Sequence, residues 1–201
     1  TNVSLWKGGE LKSTPIGNNP LPGMDQVFTH ISGGENMFMP DPKIDAVKPG
    51  PVGLNSIAGL LKHLPALTCL GSPTVNSYRR LWDTGFWAPV YADWGYQNRT
   101  CSVRVSAPGR VEYRSVDSSH NPYLMGAGIL KAFEDGLDNK MDPGEPEKKN
   151  IYDAMKEGKE VDKLPMTLGE AIQRLDSDDI VKAALPEDML RVFMHYKKDE
   201  W

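Results

Sequence analysis

Residues 99–114 read RTCSVRVSAPGRVEYR, a stretch in which two strand-like runs flank a turn. β-Branched and aromatic residues dominate 101–105 and 111–116, and such residues favour strands. The segment Ser106-Ala107-Pro108-Gly109 between the runs is turn-forming. The pattern therefore predicts a β-hairpin.

The charges on this predicted hairpin indicate an anionic ligand. Four arginines (Arg99, Arg104, Arg110 and Arg114) surround one carboxylate, Glu112. Guanidinium groups bind phosphate or carboxylate oxygens in pairs and stay charged at physiological pH. Glu112 and Arg114 are two residues apart, so they share one strand face, where a carboxylate can hold magnesium beside a phosphate. The alternative is a surface ion-pair ladder with no ligand.

Arg99 and Arg104 cannot share a face of one regular strand, because they are five residues apart. Either a bulge intervenes or one of them lies in the loop before the strand.

Sequence on both sides of the hairpin predicts an α+β fold, with helices packed against an antiparallel sheet. Apolar spacing predicts a helix over 51–70, with Pro65 kinking or ending it and Lys62-His63 on its solvated face. A third strand is predicted over 87–92, and a long loop over 8–34, which is rich in Gly, Pro and Asn.

The carboxy-terminal part of the chain carries three further helix signals. Asn121 is the predicted N-cap of a helix that starts at Pro122. Thr167 and Glu170 form a capping box, and a last amphipathic helix follows Pro186. The predicted core stripe of the helix after Asn121 comprises Leu124, Ala127, Leu130, Phe133 and Leu137.

Composition indicates one globular domain. Of 201 residues, 39% are hydrophobic and 25% are charged, and the net charge is −4. That charge argues against a nucleic-acid or anionic-membrane surface, and we expect no membrane span and a cytoplasmic location. Cys69 and Cys101 lack metal-ligand spacing, so they are predicted to be buried, reduced thiols.

Ordered motifs along the chain resemble the catalytic half of the glutamine synthetase family. They are Pro73 to Leu81 with Asn-Ser-Tyr-Arg-Arg-Leu, Ala88-Pro89, Asn98-Arg99, Arg104, Arg110 to Arg114 as Arg-x-Glu-x-Arg, and Asp117 followed by Asn121-Pro122-Tyr123-Leu124. The resemblance covers 1–201 apart from 8–34. It implies that the chain is the carboxy-terminal portion of the catalytic domain, without the amino-terminal domain and the first metal ligands, and that its sheet forms part of an open, funnel-like barrel.

The resemblance also implies a role for each motif residue. Arg80 resembles the residue that binds the α-carboxylate of L-glutamate, and Arg114 the one that meets glutamate from the opposite side. Arg99 and Arg104 resemble the phosphate-binding arginines, with Arg99 acting in catalysis, and Glu112 resembles the magnesium ligand. Asn2 and Ser4 align with a nucleotide-contacting segment. For Arg80, a simple ion pair with Asp83 is the alternative.

One departure from the family pattern concerns the amine. Family members that use ammonia carry a glutamate just before the Ala-Pro of a short flap, whereas this chain has Trp87 there. An indole cannot accept a proton from ammonium, but its face can contact an alkylammonium. Trp-Ala-Pro is similar to glutamate-methylamine ligase and to divergent glutamine synthetases. The alternative is that Trp87 only packs the flap.

The resemblance implies an ATP-dependent ligase that joins L-glutamate to ammonia or a small primary amine through γ-glutamyl phosphate. It implies ATP and Mg²⁺ (or Mn²⁺) as cofactors and homo-oligomeric rings, a dodecamer or similar. The alternative is a non-catalytic relative kept as a structural or interaction protein. Tyr152 matches a tyrosine that some relatives modify, although an ordinary loop tyrosine is the simpler interpretation.

Overall fold

The computed structural model describes residues 1–15, 26–40, 47–81 and 88–201. The strands are β1 (Asn2–Val3), β2 (Trp6–Lys7), β3 (Glu10–Pro15), β4 (Gln26–Ser32), β5 (Glu35–Asn36), β6 (Trp94–Tyr96), β7 (Val103–Ala107) and β8 (Arg110–Tyr113). The helices are α1 (Pro51–Gly71), α2 (Pro122–Asp138), α3 (Ile151–Lys156), α4 (Leu168–Asp176), α5 (Asp179–Lys182) and α6 (Glu187–Glu200), with a 3₁₀ helix at Val75–Leu81.

The predicted hairpin is confirmed as β7 and β8, which pair antiparallel. Gly109 in its turn has a φ of +73°, a conformation that strains any residue with a side chain. An added Cβ there would also lie 2.6 Å from the Asn36 side chain. Glycine is therefore required for this turn.

The hairpin belongs to a four-stranded sheet in the order β1-β8-β7-β6. The predicted α+β class is confirmed, but the sheet is mixed, because β6 runs parallel to β7. The connection 97–102 returns the chain to the starting end of β6. The strand predicted over 87–92 is wrong where the structure describes it, since 88–92 contains only one bridge, Tyr91 to Lys163. The strand comes later, at Trp94–Tyr96.

The loop predicted over 8–34 is also wrong in part. β3 and β4 pair antiparallel within it, and β2 pairs with β5 around it. Val27, Thr29 and Ile31 favour an extended backbone, a local preference hidden in the glycine-rich composition of the whole segment.

Helices α1 and α2 pack closely behind the sheet. A Cβ on Gly59 would lie 1.9 Å from the Ala132 carbonyl oxygen, and one on Gly136 would lie 2.2 Å from the Asn55 carbonyl oxygen. Glycine thus lets the two backbones touch. α1 continues through Pro65, so the prediction that the helix could end there is wrong, while the predicted kink stays a prediction. Leu64 and Ala66, on either side of Pro65, are buried and hold this segment in the core.

Other helical predictions have mixed outcomes. Asn121 caps α2 by accepting from the backbone N–H groups of Tyr123 and Leu124, as predicted. The predicted α2 stripe is wrong in part. Phe133 is buried and Leu124 packs against the core, but the face that meets α1 is formed by glycine and alanine rather than leucine. The buried residues of α2 are Met125, Gly128, Ile129, Ala132, Phe133 and Gly136, whereas Leu130 is 58% exposed.

The capping box before α4 is confirmed, with Thr167 accepting from the Glu170 N–H at 3.2 Å. α6 follows Pro186, as predicted. Cys69 and Cys101 are buried and free, as predicted. Across the described residues, no helix has the length and apolar character that a membrane crossing needs.

Candidate active site

Strand pairing places three of the predicted site residues, Asn2, Glu112 and Arg104, side by side across the sheet. Glu112 on β8 lies opposite Asn2 on β1 and opposite Arg104 on β7. Arg104 Nε lies 3.1 Å from Glu112 Oε2, and Arg114 Nε lies 3.5 Å from the same oxygen. The predicted shared face of Glu112 and Arg114 is therefore present. We call Arg104, Glu112 and Arg114 the charged row.

The charged row is only partly open to water. Its side chains are 15%, 23% and 16% exposed, in chain order. Burial lowers the pKa of the Arg114 guanidinium, while the charge of Glu112 acts in the opposite direction. One carboxylate shared by two arginines leaves an excess of positive charge, which is the electrostatic condition for binding an anion.

Arg99 lies in the turn before β7, which resolves the spacing problem in favour of the loop. Its side chain is exposed, and its backbone carbonyl accepts a hydrogen bond from Arg114 Nη1. The same Nη1 donates to the Cys101 carbonyl at 2.8 Å. Arg114 therefore connects the charged row to the turn that carries Arg99.

Side chains on the other side of this turn fasten it to the 147–151 segment. Asn98 Nδ2 donates to the carbonyls of Glu147 and Lys149 at 3.2 and 2.7 Å. Thr100 Oγ1 accepts from the Ile151 N–H at 3.0 Å. The turn is thus held in place before any ligand binds.

Arg80 lies at the carboxy-terminal end of the 3₁₀ helix. Its Nη2 donates to the Val116 carbonyl at 2.8 Å, two residues beyond Arg114. Its Nε is buried and has no hydrogen-bond partner among the described residues. Burial opposes ionisation of nearby Asp117, but hydrogen bonds from Ser119 and Ser77 and the charge of Arg80 lower the pKa of that carboxyl. Asp83, the alternative partner of Arg80, lies outside the described residues.

The two residues predicted to contact nucleotide differ in position. Asn2 lies on β1 directly opposite Glu112, and its Oδ1 accepts a hydrogen bond from Ser106 Oγ at 3.3 Å. Ser4 lies beyond the end of β1, where its Oγ accepts from Trp6 Nε1 at 2.9 Å. The structure thus brings Asn2, and not Ser4, into contact with the residues of the hairpin.

The flap residue Trp87 lies outside the described residues. The chain that follows it is anchored, because the Tyr152 hydroxyl donates to the Ala88 carbonyl at 3.3 Å. Tyr152 also packs edge-on against Tyr91, with ring centroids 6.4 Å apart. An anchoring role for Tyr152 was not visible in the sequence, since its partner is a backbone carbonyl far along the chain.

Glu112 is compatible with a magnesium ligand. Magnesium in nucleotide sites is commonly held by one or two carboxylates plus substrate phosphates. No group of three or more Asp, Glu, His or Cys side chains that could hold a metal by itself occurs in the described part of the chain. A single carboxylate beside two arginines fits a metal ion that would share its coordination with phosphate oxygens.

Two buried ionisable side chains were not predicted from the sequence. His63, predicted to face solvent, is 3% exposed and contacts Asp178 and Asp135. Asp93, not singled out in the sequence, is 6% exposed and contacts the turn that carries Arg99. Burial of an ionisable group depends on tertiary packing, and no local pattern around either residue predicts it.

Comparison with known proteins gives the family. A family model described as the catalytic domain of glutamine synthetase matches residues 24–201. The chain belongs to the glutamine synthetase family. It is 40% identical over 194 residues to glutamine synthetase of Pyrococcus woesei, a match that covers 93% of this chain and 43% of the relative. It is 46% identical over 154 residues to glutamine synthetase of Archaeoglobus fulgidus, covering 72% of this chain and 31% of that protein.

Solved structures in the same comparison agree with the α+β fold of this family member. A GmaS/ADP complex superposes with a TM-score of 0.77 at 34% identity, covering 85% of this chain and 40% of the other. GmaS without ligand gives a TM-score of 0.74 at 32% identity, covering 87% and 42%. The chain therefore spans between 31% and 43% of the length of these relatives.

Proposed function

We propose that this protein acts as an ATP-dependent ligase that joins L-glutamate to ammonia or a small primary amine. The observation that carries the proposal is the charged row, with the Arg99 turn fastened to it by Arg114. A glutamate ligase must hold a triphosphate and an amino-acid carboxylate close together, and this arrangement offers fixed guanidinium groups for both. Family membership and the likeness to an ADP complex of GmaS support the same reaction class.

The proposed chemistry follows from the poor leaving-group character of a carboxylate oxygen. The γ-carboxylate of glutamate attacks the terminal phosphorus of ATP, which forms γ-glutamyl phosphate and releases ADP. The amine nitrogen then attacks the carbonyl carbon of the γ-glutamyl phosphate, its surplus proton is lost, and phosphate leaves with the former carboxylate oxygen. Both steps gain from preorganised positive charge around the transferred group.

We assign the roles of the positive groups by position. Arg99 and Arg104 bind the terminal phosphate oxygens and stabilise the charge that develops during transfer. Arg80, whose Nε is buried and unpaired among the described residues, binds the α-carboxylate of glutamate. Arg114 meets glutamate from the opposite side. Asn2 and Ser4 contact the nucleotide.

Glu112 is the proposed ligand of Mg²⁺ or Mn²⁺. When bound, the ion neutralises phosphate charge and orients the terminal phosphate. Glu112 itself performs two tasks in this proposal: it supplies an anionic oxygen for the ion, and it keeps Arg104 and Arg114 on one face of the sheet.

The amine is assigned through Trp87. The indole offers an apolar wall and a π-face to an alkylammonium but no base for ammonium. We therefore propose that a small alkylamine is preferred to ammonia. This assignment rests on the sequence.

The proposal extends to the whole protein. This chain forms the carboxy-terminal portion of the catalytic domain, other segments complete the metal site, and the protein acts in the cytoplasm as a homo-oligomeric ring. We expect the mass of the complete protein in sedimentation equilibrium to be several times the subunit mass, and a mass equal to one subunit would contradict the ring.

The direct test is phosphate release by the complete protein with ATP, Mg²⁺, glutamate and a panel of amines that includes ammonia and methylamine. We expect release to require both glutamate and an amine. Absence of release with every amine, from folded protein, would favour the non-catalytic alternative, in which the charged row is only an ion-pair ladder.

A further inference from the structure

A buried carboxyl that the proposed roles do not use lies beside the Arg99 turn. Asp93 precedes β6 and is 6% exposed. Its Oδ1 accepts from the Ser102 N–H at 3.0 Å, and its backbone carbonyl accepts from the Val103 N–H at 3.0 Å. Asp93 thus binds the chain at the point where the turn enters β7.

The second oxygen of this carboxyl makes the burial of Asp93 energetically unfavourable. Asp93 Oδ2 is buried and has no hydrogen-bond partner of ordinary geometry among the described residues, although the Cys101 thiol faces the carboxyl. Burying a carboxylate without full compensation is unfavourable, and a residue that only fills space would be apolar. The burial of Asp93 is therefore better explained by its hydrogen bond to the Ser102 N–H, which holds the turn.

Asp93 and Arg114 hold the turn from two directions. Arg114 Nη1 binds the carbonyls of Arg99 and Cys101, while Asp93 binds the N–H groups of Ser102 and Val103. The Cys101 carbonyl and the Ser102 N–H are therefore held by opposite charges, a guanidinium and a carboxylate, whereas the Val103 N–H bonds to the backbone carbonyl of Asp93. The position of the Arg99 backbone depends on both contacts.

We propose that Asp93 is a positioning residue for Arg99, and that its ionised carboxylate holds the 99–102 turn in the geometry that phosphoryl transfer requires. This inference rests on the proposed ligase function. Asp93 acts through the turn and does not touch the substrate.

The proposal carries a pH dependence. Burial raises the pKa of Asp93 to about 6, while the hydrogen bond from the Ser102 N–H, the Cys101 thiol and the charge of Lys159 act to lower it. Glu147, which forms an ion pair with Lys159, acts to raise it. Above pH 6 the carboxylate accepts a strong, charge-assisted hydrogen bond, and below pH 6 the neutral acid accepts a weaker one. Turnover should therefore rise with pH through about 6.

The experiment measures kcat and the glutamate KM of the complete protein between pH 5 and 8. In the wild type we expect kcat to rise about 3- to 10-fold through a midpoint near 6, because charge-assisted hydrogen bonds are about twice as strong as neutral ones. Asp93→Asn keeps an acceptor but cannot ionise, so its profile should lose this step without a change in KM. Asp188→Asn, at a side chain that is 93% exposed, is the matched control and should keep the step.

Cys101→Ala provides an independent check, because the thiol helps to lower the pKa of Asp93. This variant should move the midpoint to higher pH. A step that persists in Asp93→Asn, or a midpoint unchanged by Cys101→Ala, would overturn the positioning role.

A second readout separates this inference from the ligase proposal. The affinity for a non-hydrolysable ATP analogue with Mg²⁺ should show the same midpoint and lose it in Asp93→Asn. Analogue binding with that midpoint, in protein that releases no phosphate, would support the positioning role and refute the ligase function. Analogue affinity and kcat that are both independent of pH through this range would refute the positioning role.

Discussion

The charged row differs from an ordinary surface ladder in how little water reaches it. Exposed ion pairs contribute little to stability, so a protein gains little by maintaining a ladder. Here one carboxylate is shared by two arginines that are each about one sixth exposed. The excess positive charge persists at every physiological pH, because guanidinium groups stay protonated.

The proposed roles of Arg99 and Arg80 should be distinguishable in steady-state kinetics. Arg99→Ala should lower kcat roughly 100-fold, because its contact strengthens as charge develops in transfer. Arg80→Ala should chiefly raise the glutamate KM, because its contact is already made in the ground state. Steady-state kinetics of the two variants check this, with Arg191→Ala on the exposed side of α6 as control. If both variants showed the same decrease in kcat and the same increase in KM, the division of roles would be contradicted.

Trp87 should control amine choice. Each methylene group removed from water contributes about 0.8 kcal/mol, and pockets of this kind discriminate roughly 10- to 200-fold. We expect kcat/KM for methylamine to exceed that for ammonia, and Trp87→Glu to move the ratio towards ammonia. A preference for ammonia that does not change in Trp87→Glu would mean that the tryptophan only packs the flap.

At the scale of elements, a buried ionic contact joins α1 to the helices behind it. His63 Nδ1 lies 2.7 Å from Asp178 Oδ2 at the start of α5, and His63 Nε2 lies 2.8 Å from Asp135 Oδ2 on α2. Burial opposes protonation, but the hydrogen bonds to the two carboxylates raise the pKa of His63. The same contacts lower the pKa of Asp135 and Asp178 against the effect of burial.

This contact predicts the pH dependence of stability. Because the folded pKa of His63 is raised, its contribution is complete below the unfolded pKa of about 6.5 and is lost as pH rises through the folded value. The carboxylates contribute above their unfolded pKa of about 3.9 and lose that contribution as pH falls. Thermal unfolding of the wild type should therefore shift to lower temperature above pH 6.5.

His63→Leu tests the origin of that effect. It should destabilise the protein by roughly 3 kcal/mol, the low end for a broken buried pair, because Lys62 still pairs with Asp135. It should also remove the loss of stability above pH 6.5. His195→Leu is the control, since His195 is 69% exposed and its ion pair is with the similarly exposed Asp199 at 3.5 Å. An equal effect of the two variants would contradict the account.

The contact between α1 and α2 gives another matched pair. Gly136→Ala would place a Cβ 2.2 Å from the Asn55 carbonyl oxygen, so it should destabilise by several kcal/mol. Gly126→Ala, in the same helix, meets open space and should stabilise by about 0.5 to 1 kcal/mol through helix propensity. Urea unfolding gives the free energy of unfolding of both variants. If the two variants were equally stable, the close approach of the backbones would be refuted.

Which elements the sequence predicts depends on whether the signal is local. The Asn121 cap, the Thr167 capping box and the hairpin around Gly109 are encoded within a few residues and are confirmed. The burial of His63 and Asp93 depends on partners far along the chain, so periodicity could not show it. α1 does not end at Pro65, because burial of the surrounding residues in the core outweighs the lost hydrogen bond.

At the scale of the whole molecule, family membership came from ordered motifs, while the geometry came only from the structure. Strand pairing places Asn2 beside Glu112, although 110 residues separate them in sequence. The spacing of the motifs carries no information about that pairing. The mixed sheet likewise depends on the parallel pairing of β6 and β7, which the short connection 97–102 does not predict.

Phosphorylation of the glutamate γ-carboxylate is the proposed activating step of the reaction. The most direct measurement follows isotopic oxygen from glutamate labelled with ¹⁸O in its γ-carboxylate, with ATP, Mg²⁺ and methylamine or ammonia. We predict that one ¹⁸O atom appears in each phosphate released, because the former carboxylate oxygen leaves with phosphate when the amine attacks. Release of phosphate that carries no ¹⁸O would show that water and not glutamate accepts the phosphoryl group. That result would contradict the ligase assignment.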